Sequence, residues 1–317
     1  LRHEVLAPEL SADPNHELVA RAEAAASALA RLARAGVAGA DPGSWAGLAE
    51  PSTKTALYGP EQRATLSPSR VEQLTTCSLR WALESAGGTA SGTFAAHLGT
   101  LGHEIAETHP TGTLEEMTAE LDRLWPSLDL PEGWLSDRDR LRAEGMVARL
   151  ASYVAAHPDV VGTEIDFDLE LETTAGPLRL RGRVDRVERD SAGRLRIVDI
   201  KTGKSAPSVE QAKTHPQLGV YQLALEHGAL VVEPGDGTAE NGGAALVYLG
   251  ADSKNATQRA QPPLGESVDP QWVSGLVGEA RERMAGPVVM AVANDLCEHC
   301  PVRRSCPVRD EGAQVTA

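Results

Sequence analysis

The stretch LRLRGRVDRVERDSAGRLRIVDIKT, residues 178–202, constrains this chain more than any other. Two runs of alternating apolar and charged residues flank the turn-forming Asp190-Ser191-Ala192-Gly193, the pattern of two strands joined in a hairpin. Along the second strand side chains alternate, so Asp199 and Lys201 share one face while Val198 and Ile200 share the other. If the connection closes between Arg189 and Leu195, antiparallel pairing sets Asp185 opposite Asp199 with both carboxylates pointing the same way. Two such carboxylates repel unless one is protonated or a cation lies between them, and hard oxygen ligands suit Mg²⁺ or Mn²⁺. An ion held there lowers the pKa of a bound water and neutralises charge on a phosphodiester under attack, while Lys201 orients the water or stabilises that charge. The competing reading is an exposed hairpin with alternating charges.

Local charge favours the site. The chain has five lysines, and Lys201, Lys204 and Lys213 lie at or just beyond the second strand. From Arg181 to Lys213 nine basic residues face five acidic ones, within a chain of formal net charge -15. A polyanion fits that segment.

The run GRVDRVERDSAGRLRIVDIKTGK, followed by HPQLGVYQLAL, resembles the RecB-family nuclease domain, a branch of the PD-(D/E)XK superfamily. The resemblance implies an α/β fold with a restriction-endonuclease-like core, a central mixed sheet flanked by helices. It also nominates residues. Gly99-Thr100-Leu101-Gly102-His103 matches the family's Gly-x-x-x-His, which makes His103 a metal ligand beside Asp185, Asp199 and the Ile200 carbonyl. Gln217 and Tyr221 match a Gln-x-x-x-Tyr, one turn apart on a helix expected over 215–227, and are implied to contact or position the DNA backbone. Glu164, opening the strand-like EIDFDLELE, resembles an accessory acidic residue, with Asp166, Asp168 and Glu170 offering the same chemistry at alternate positions.

Four cysteines make the second argument. Cys297, Cys300 and Cys306 form C-x2-C-x5-C near the C-terminus, and Cys77 stands far upstream. Four thiolates suit a structural zinc or an iron-sulfur cluster, and spacing alone does not choose between them. No secretory leader is seen, which favours a reducing cytoplasm over disulfides. The layout of one cysteine before the core and three after it resembles the iron-staple nucleases of the AddB type, which implies a 4Fe-4S cluster with zinc as the alternative occupant and His299 as a substitute ligand. Cys77 falls in SPSRVEQLTTCSLRWAL, read as a helix opened by a Ser69-x-x-Glu72 capping box.

Around this core the sequence predicts an amphipathic helix over 16–35, helices across 112–157 broken near Pro126 and Pro131, a loop at VVEPGDGTAENGGA, a buried strand over 244–249 and a helix over 270–285. Residues 1–65 are expected to be the helical and loop-like end of a preceding region or linker, 66–310 the nuclease domain and 311–317 a tail. No apolar run is long enough for a transmembrane helix. The acidic balance argues against a large free DNA-binding surface, so the DNA is expected to be delivered as single strands by a helicase motor in the same polypeptide or a partner subunit. Because no G-x-x-x-x-G-K-[ST] occurs, any motor lies outside these residues. Bacterial helicase-nucleases of the AddAB and actinobacterial AdnAB kind fit best by resemblance. A stand-alone CRISPR-associated-type Fe-S exonuclease and a non-catalytic DNA-end-binding module are the alternatives.

Overall fold

The hairpin forms in the register that its turn dictates. A computed structural model of the chain describes Leu1, Val5 and residues 15–37, 39–42, 55–88, 94–130, 133–232 and 240–309. The strands are β1 (Ala64–Leu66), β2 (Val160–Thr173), β3 (Gly176–Arg189), β4 (Leu195–Lys201), β5 (Asn241–Tyr248) and β6 (Thr257–Gln261). The helices are α1 (His16–Arg34), α2 (Pro68–Thr76), α3 (Ser78–Ser85), α4 (Phe94–Thr108), α5 (Leu114–Leu124), α6 (Trp134–Ala156), α7 (Val209–Ala212), α8 (Pro216–Glu226) and α9 (Trp272–Met284). The chain divides into two compact units. One comprises 56–81 and 90–289, the other 1–55, 82–89 and 290–317.

In the larger unit the six strands form one mixed sheet of order β1-β3-β4-β5-β6, with β2 also paired to β3. β3 is antiparallel to β2 and to β4, and parallel to β1. β4 is parallel to β5, a pairing that requires a crossover, and α7 and α8 supply it. Val198 and Ile200 on one face of β4 join Val247 and Leu249 in a core with Leu98, Leu101 and Ile105 of α4 and with side chains of α5 and α6. α2, α8 and α9 pack on one another, with α8 also against β4 and β5. β4 is thereby covered on both faces, and Asp199 is 2% exposed. This is a mixed α/β fold with a central sheet flanked by helices.

Two local expectations change. Ser67, not Ser69, caps α2, accepting from the Arg70 amide at 3.4 Å, because Pro68 lacks an N–H and fits the first helical position. Cys77 is not inside one continuous helix but is the C-cap of α2, in extended conformation at the junction with α3. Near Pro126 the helix breaks into a 3₁₀ turn over Trp125–Leu128. Pro131, residues 233–239 of the expected loop and the expected tail 311–317 lie outside the described residues.

In the smaller unit, α1 is capped by Asn15, whose side chain accepts from the Leu18 amide at 2.8 Å, and buries Ala22, Ala25 and Leu29. Cys297 opens the 3₁₀ turn Cys297–His299, Cys300 is its C-cap, and Cys306 is the C-cap of a second turn, Arg303–Ser305. Among the described helices, none is long and apolar enough to cross a membrane.

A buried polar network ties the helical layer to β3. Arg186 donates to Glu188 at 2.7 Å, to the Pro110 carbonyl at 2.5 Å and to the His157 carbonyl at 2.7 Å, and the Tyr153 hydroxyl donates to Glu188 at 3.0 Å. Removing the carboxylate leaves a buried guanidinium uncompensated. Glu188→Ala is expected to lower stability by about 3–5 kcal/mol in urea unfolding, and a loss under about 1 kcal/mol would contradict this role for the network.

Candidate metal centre

Three carboxylates meet across three neighbouring strands. The β3–β4 pairing runs from Arg189↔Leu195 to Arg186↔Val198, and the next step in that register sets Asp185 opposite Asp199. On the other side of β3, Glu164 falls between the pairs Thr163↔Arg186 and Ile165↔Val184, across from Asp185. Glu164 has φ +50°, an uncommon conformation for a side-chain-bearing residue within a strand. Its neighbours on alternate positions behave otherwise. Asp166 and Asp168 are exposed and paired to Arg183 and Arg179, and Glu170 to Arg63. The left-handed kink thus marks where Glu164 departs from the exposed acidic row.

α4 brings His103 to this place. Its Nδ1 lies 3.5 Å from Asp185 Oδ1, and one ligand atom from each of His103, Glu164 and Asp185 falls within 4.8 Å of the others. Asp185 Oδ2 accepts from the Ile200 amide at 2.6 Å, which locks the carboxylate against β4. Gly99 and Gly102, one face of α4, lie against Thr202, so the helix approaches the end of β4 closely.

Asp199 is held from the other side and stands outside that three-residue group. Its Oδ1 accepts from Gln217 Nε2 at 2.7 Å and from the Tyr221 hydroxyl at 3.4 Å. Gln217 Oε1 in turn accepts from Lys201 Nζ at 2.7 Å, and Tyr221 is buried edge-on against Phe167 with ring centroids 6.0 Å apart. Gln217 and Tyr221, both buried, therefore hold Asp199 and Lys201 in place. Asp199 Oδ2 is 2.8 Å from Lys201 Nζ, yet it is buried and receives no hydrogen bond of acceptable geometry. Asp199 Oδ2 therefore faces the Lys201 ammonium as its one charged partner while Asp185 adds a second carboxylate nearby.

The electrostatics agree. Burial, then Asp199 and Glu164, push the Asp185 pKa well above the ordinary aspartate value, against the pull of the Ile200 N–H. Burial and Glu107 raise Glu164. Burial lowers His103 despite Asp199, so its imidazole is neutral and able to act as a ligand. Burial opposes the charge on Lys201, but Asp199 and Asp185 outweigh it and raise its pKa, keeping it an ammonium. A donor set of carboxylate oxygens and one neutral imidazole fits Mg²⁺ or Mn²⁺.

A family model described as the PD-(D/E)XK nuclease superfamily matches residues 65–307. The chain belongs to this superfamily. Its divalent-metal chemistry agrees with the acidic centre, which the Asp-x-Lys of β4 anchors. Among solved structures, the one described as "Crystal structure of SSO0001" is similar at 18% identity and a TM-score of 0.39, covering 77% of this chain and 86% of its own. No curated protein matches the chain.

Sequence reasoning missed three neighbours. Glu107 lies one turn beyond His103 on α4 and acts electrostatically on Glu164. Glu72 of α2 pairs with His215 at 3.7 Å, and both act on Lys201 or are acted on by it. Glu107 was legible from its i, i+4 spacing to His103, whereas the Glu72–His215 pair joins distant segments and left no local signal. The cysteines are brought together less clearly. Cys297 Sγ accepts from the Asn294 amide at 3.3 Å, Cys297, Cys300 and Cys306 are half-buried, and Cys77 is buried.

Asp185 offers a direct test of the repulsion. Its raised pKa means that its contribution to the metal-free fold is fully present below the unfolded aspartate pKa and is lost as pH rises through the folded value. Asp185→Asn, which keeps an acceptor for Ile200 N–H, is expected to stabilise the metal-free protein at neutral pH by about 1 kcal/mol and to cancel stabilisation by Mn²⁺. The check is thermal melting with and without Mn²⁺. A destabilised variant that still responds to Mn²⁺ would show that the carboxylates are neither strained nor ligands.

Proposed function

We propose that this domain is the metal-dependent nuclease module of a bacterial helicase-nuclease, hydrolysing single-stranded DNA in the cytoplasm during end resection and recombinational repair of double-strand breaks. The observation that carries the catalytic part is the row Glu164, Asp185, Asp199 across three strands, with His103 above it and a protonated Lys201 beside it. Asp185, Asp199, His103 and the Ile200 carbonyl would hold Mg²⁺ or Mn²⁺, with Glu164 as accessory. When bound, the ion supplies a water of lowered pKa and a Lewis acid at the phosphoryl oxygen. Lys201 stabilises the negative charge that develops on the phosphate, and Gln217 and Tyr221 act through Asp199 and Lys201 by fixing their rotamers.

The motor association rests on two supports, the family resemblance and the formal charge of -15, which disfavours unaided capture of DNA. Residues 66–310 are assigned to the nuclease module on the same grounds. By the C-x2-C-x5-C resemblance, Cys77, Cys297, Cys300 and Cys306 take a 4Fe-4S cluster, with zinc as the other occupant.

Asp199→Ala and Lys201→Ala are each expected to reduce Mg²⁺- or Mn²⁺-dependent cleavage of end-labelled single-stranded DNA by about 100-fold or more while melting cooperatively. Near-normal cleavage by both variants would falsify the catalytic assignment. Purified protein is expected to be brown, with about four irons per chain. A colourless protein carrying one zinc overturns the cluster and leaves the nuclease reading standing.

A further inference from the structure

At the end of β4 lies a cationic feature. A cleft of about 500 Å³ is lined by Arg138, Arg142 and Arg149 of α6 and by Lys204 from the segment after β4, with Asp139 and Asp252 as its only carboxylates. Four cations against two anions in one cleft stand out in a chain of net charge -15. The three arginines recur at helical spacing on one side of α6, at i, i+4 and i+11.

The cleft abuts the end of the catalytic strand. Arg142 Nη2 donates to the carbonyl of Thr202, the residue after Lys201, at 3.5 Å. Arg149 Nε donates to the Leu249 carbonyl at 2.5 Å, and the Leu249 amide donates to the Lys201 carbonyl at 2.7 Å. A Cβ on Gly250 would lie 2.1 Å from the Thr202 carbonyl, so only glycine lets the β5 end close on this segment.

The charges here also differ from those elsewhere in having few carboxylate partners. Arg179, Arg183 and Arg194 are each paired to an aspartate on the surface. In the cleft, Arg149 bonds only carbonyls, of Leu249 and Ser253, and Arg142 bonds the Thr202 carbonyl, its Nε being buried without a hydrogen-bond partner. Among the described residues Lys204 forms no ion pair, Arg138 meets Asp139 at 3.3 Å, and Asp252 acts on Arg149 through space without an ion pair. Positive charge is in excess in this arrangement.

We propose that this cleft seats the phosphodiester backbone of the strand being cut, next to the metal centre; the inference rests on the nuclease reading. The cleft has no aromatic lining on which a base could stack, so it reads phosphate charge and not sequence. It gives the acidic chain a local track that holds the strand in register with Asp185 and Asp199.

The test uses the 317-residue protein and a fluorescein-labelled oligodeoxythymidylate in metal-free buffer, with binding followed by anisotropy across a salt series. Arg142→Gln/Lys204→Gln is compared with a charge-matched control, Arg31→Gln/Arg123→Gln. Each lost phosphate contact flattens the dependence of log K on log salt by about 0.7 for single strands, so the cleft variant is expected to lose about 1.4 from that slope and to bind about tenfold more weakly at low salt. Lys204→Gln alone, at an exposed side chain, is expected to lose about half of that slope and guards against misfolding of the double variant. Cleft variants that match the control, with a wild type that cleaves the strand once Mn²⁺ is added, overturn the cleft and spare the nuclease. A wild type that neither binds nor cleaves overturns both.

Discussion

Glu164, Asp185 and Asp199 are brought together by strand pairing and not by attraction, since Asp199 and Glu164 both raise the cost of charging Asp185. Everything near them answers that repulsion. The Ile200 amide holds one oxygen of Asp185, Gln217 and Tyr221 hold one oxygen of Asp199, and Lys201 places an ammonium 2.8 Å from the other. The helices that deliver these groups are fixed by apolar packing on opposite faces of β4, through Val198 and Ile200 on one side and α8 on the other. A sheet core about as dense as an organic crystal can hold like charges in register where a loop would let them separate.

The same constraint explains the division of labour between His103 and Lys201. Burial discourages a proton on His103, which leaves its ring nitrogen a lone pair to offer. Lys201 keeps its proton because Asp199 and Asp185 outweigh the burial cost. One group is thus a ligand and the other a fixed positive charge, although both sit beside the same carboxylates.

Much of this was legible in the sequence where the physics is local. The four-residue turn and the alternation after it set the β3–β4 register, whose next step aligns Asp185 with Asp199. His103 was named by resemblance alone, and the structure adds the close packing of Gly99 and Gly102 on Thr202. Glu164 was harder to single out, because strict alternation puts it in one row with Asp166, Asp168 and Glu170, and only its positive φ separates it from them. The basic excess counted from Arg181 to Lys213 was a weaker guide than it looked. Arg183 and Arg194 are paired to aspartates, Lys213 to Glu210, and Arg186 is buried with Glu188. The less compensated charge lies partly on α6, where Arg138, Arg142 and Arg149 share a face that shows only once the helix is packed beside Lys204.

The central claim is that strand pairing builds one divalent-metal site from the Glu164, Asp185 and Asp199 carboxylates with His103. Crystals soaked in Mn²⁺ and measured at its absorption edge test it most directly. The account predicts an anomalous peak within ligand distance of His103, Asp185 and Asp199. Manganese bound instead along the exposed Asp166–Asp168 row, with none at Asp185, would contradict it.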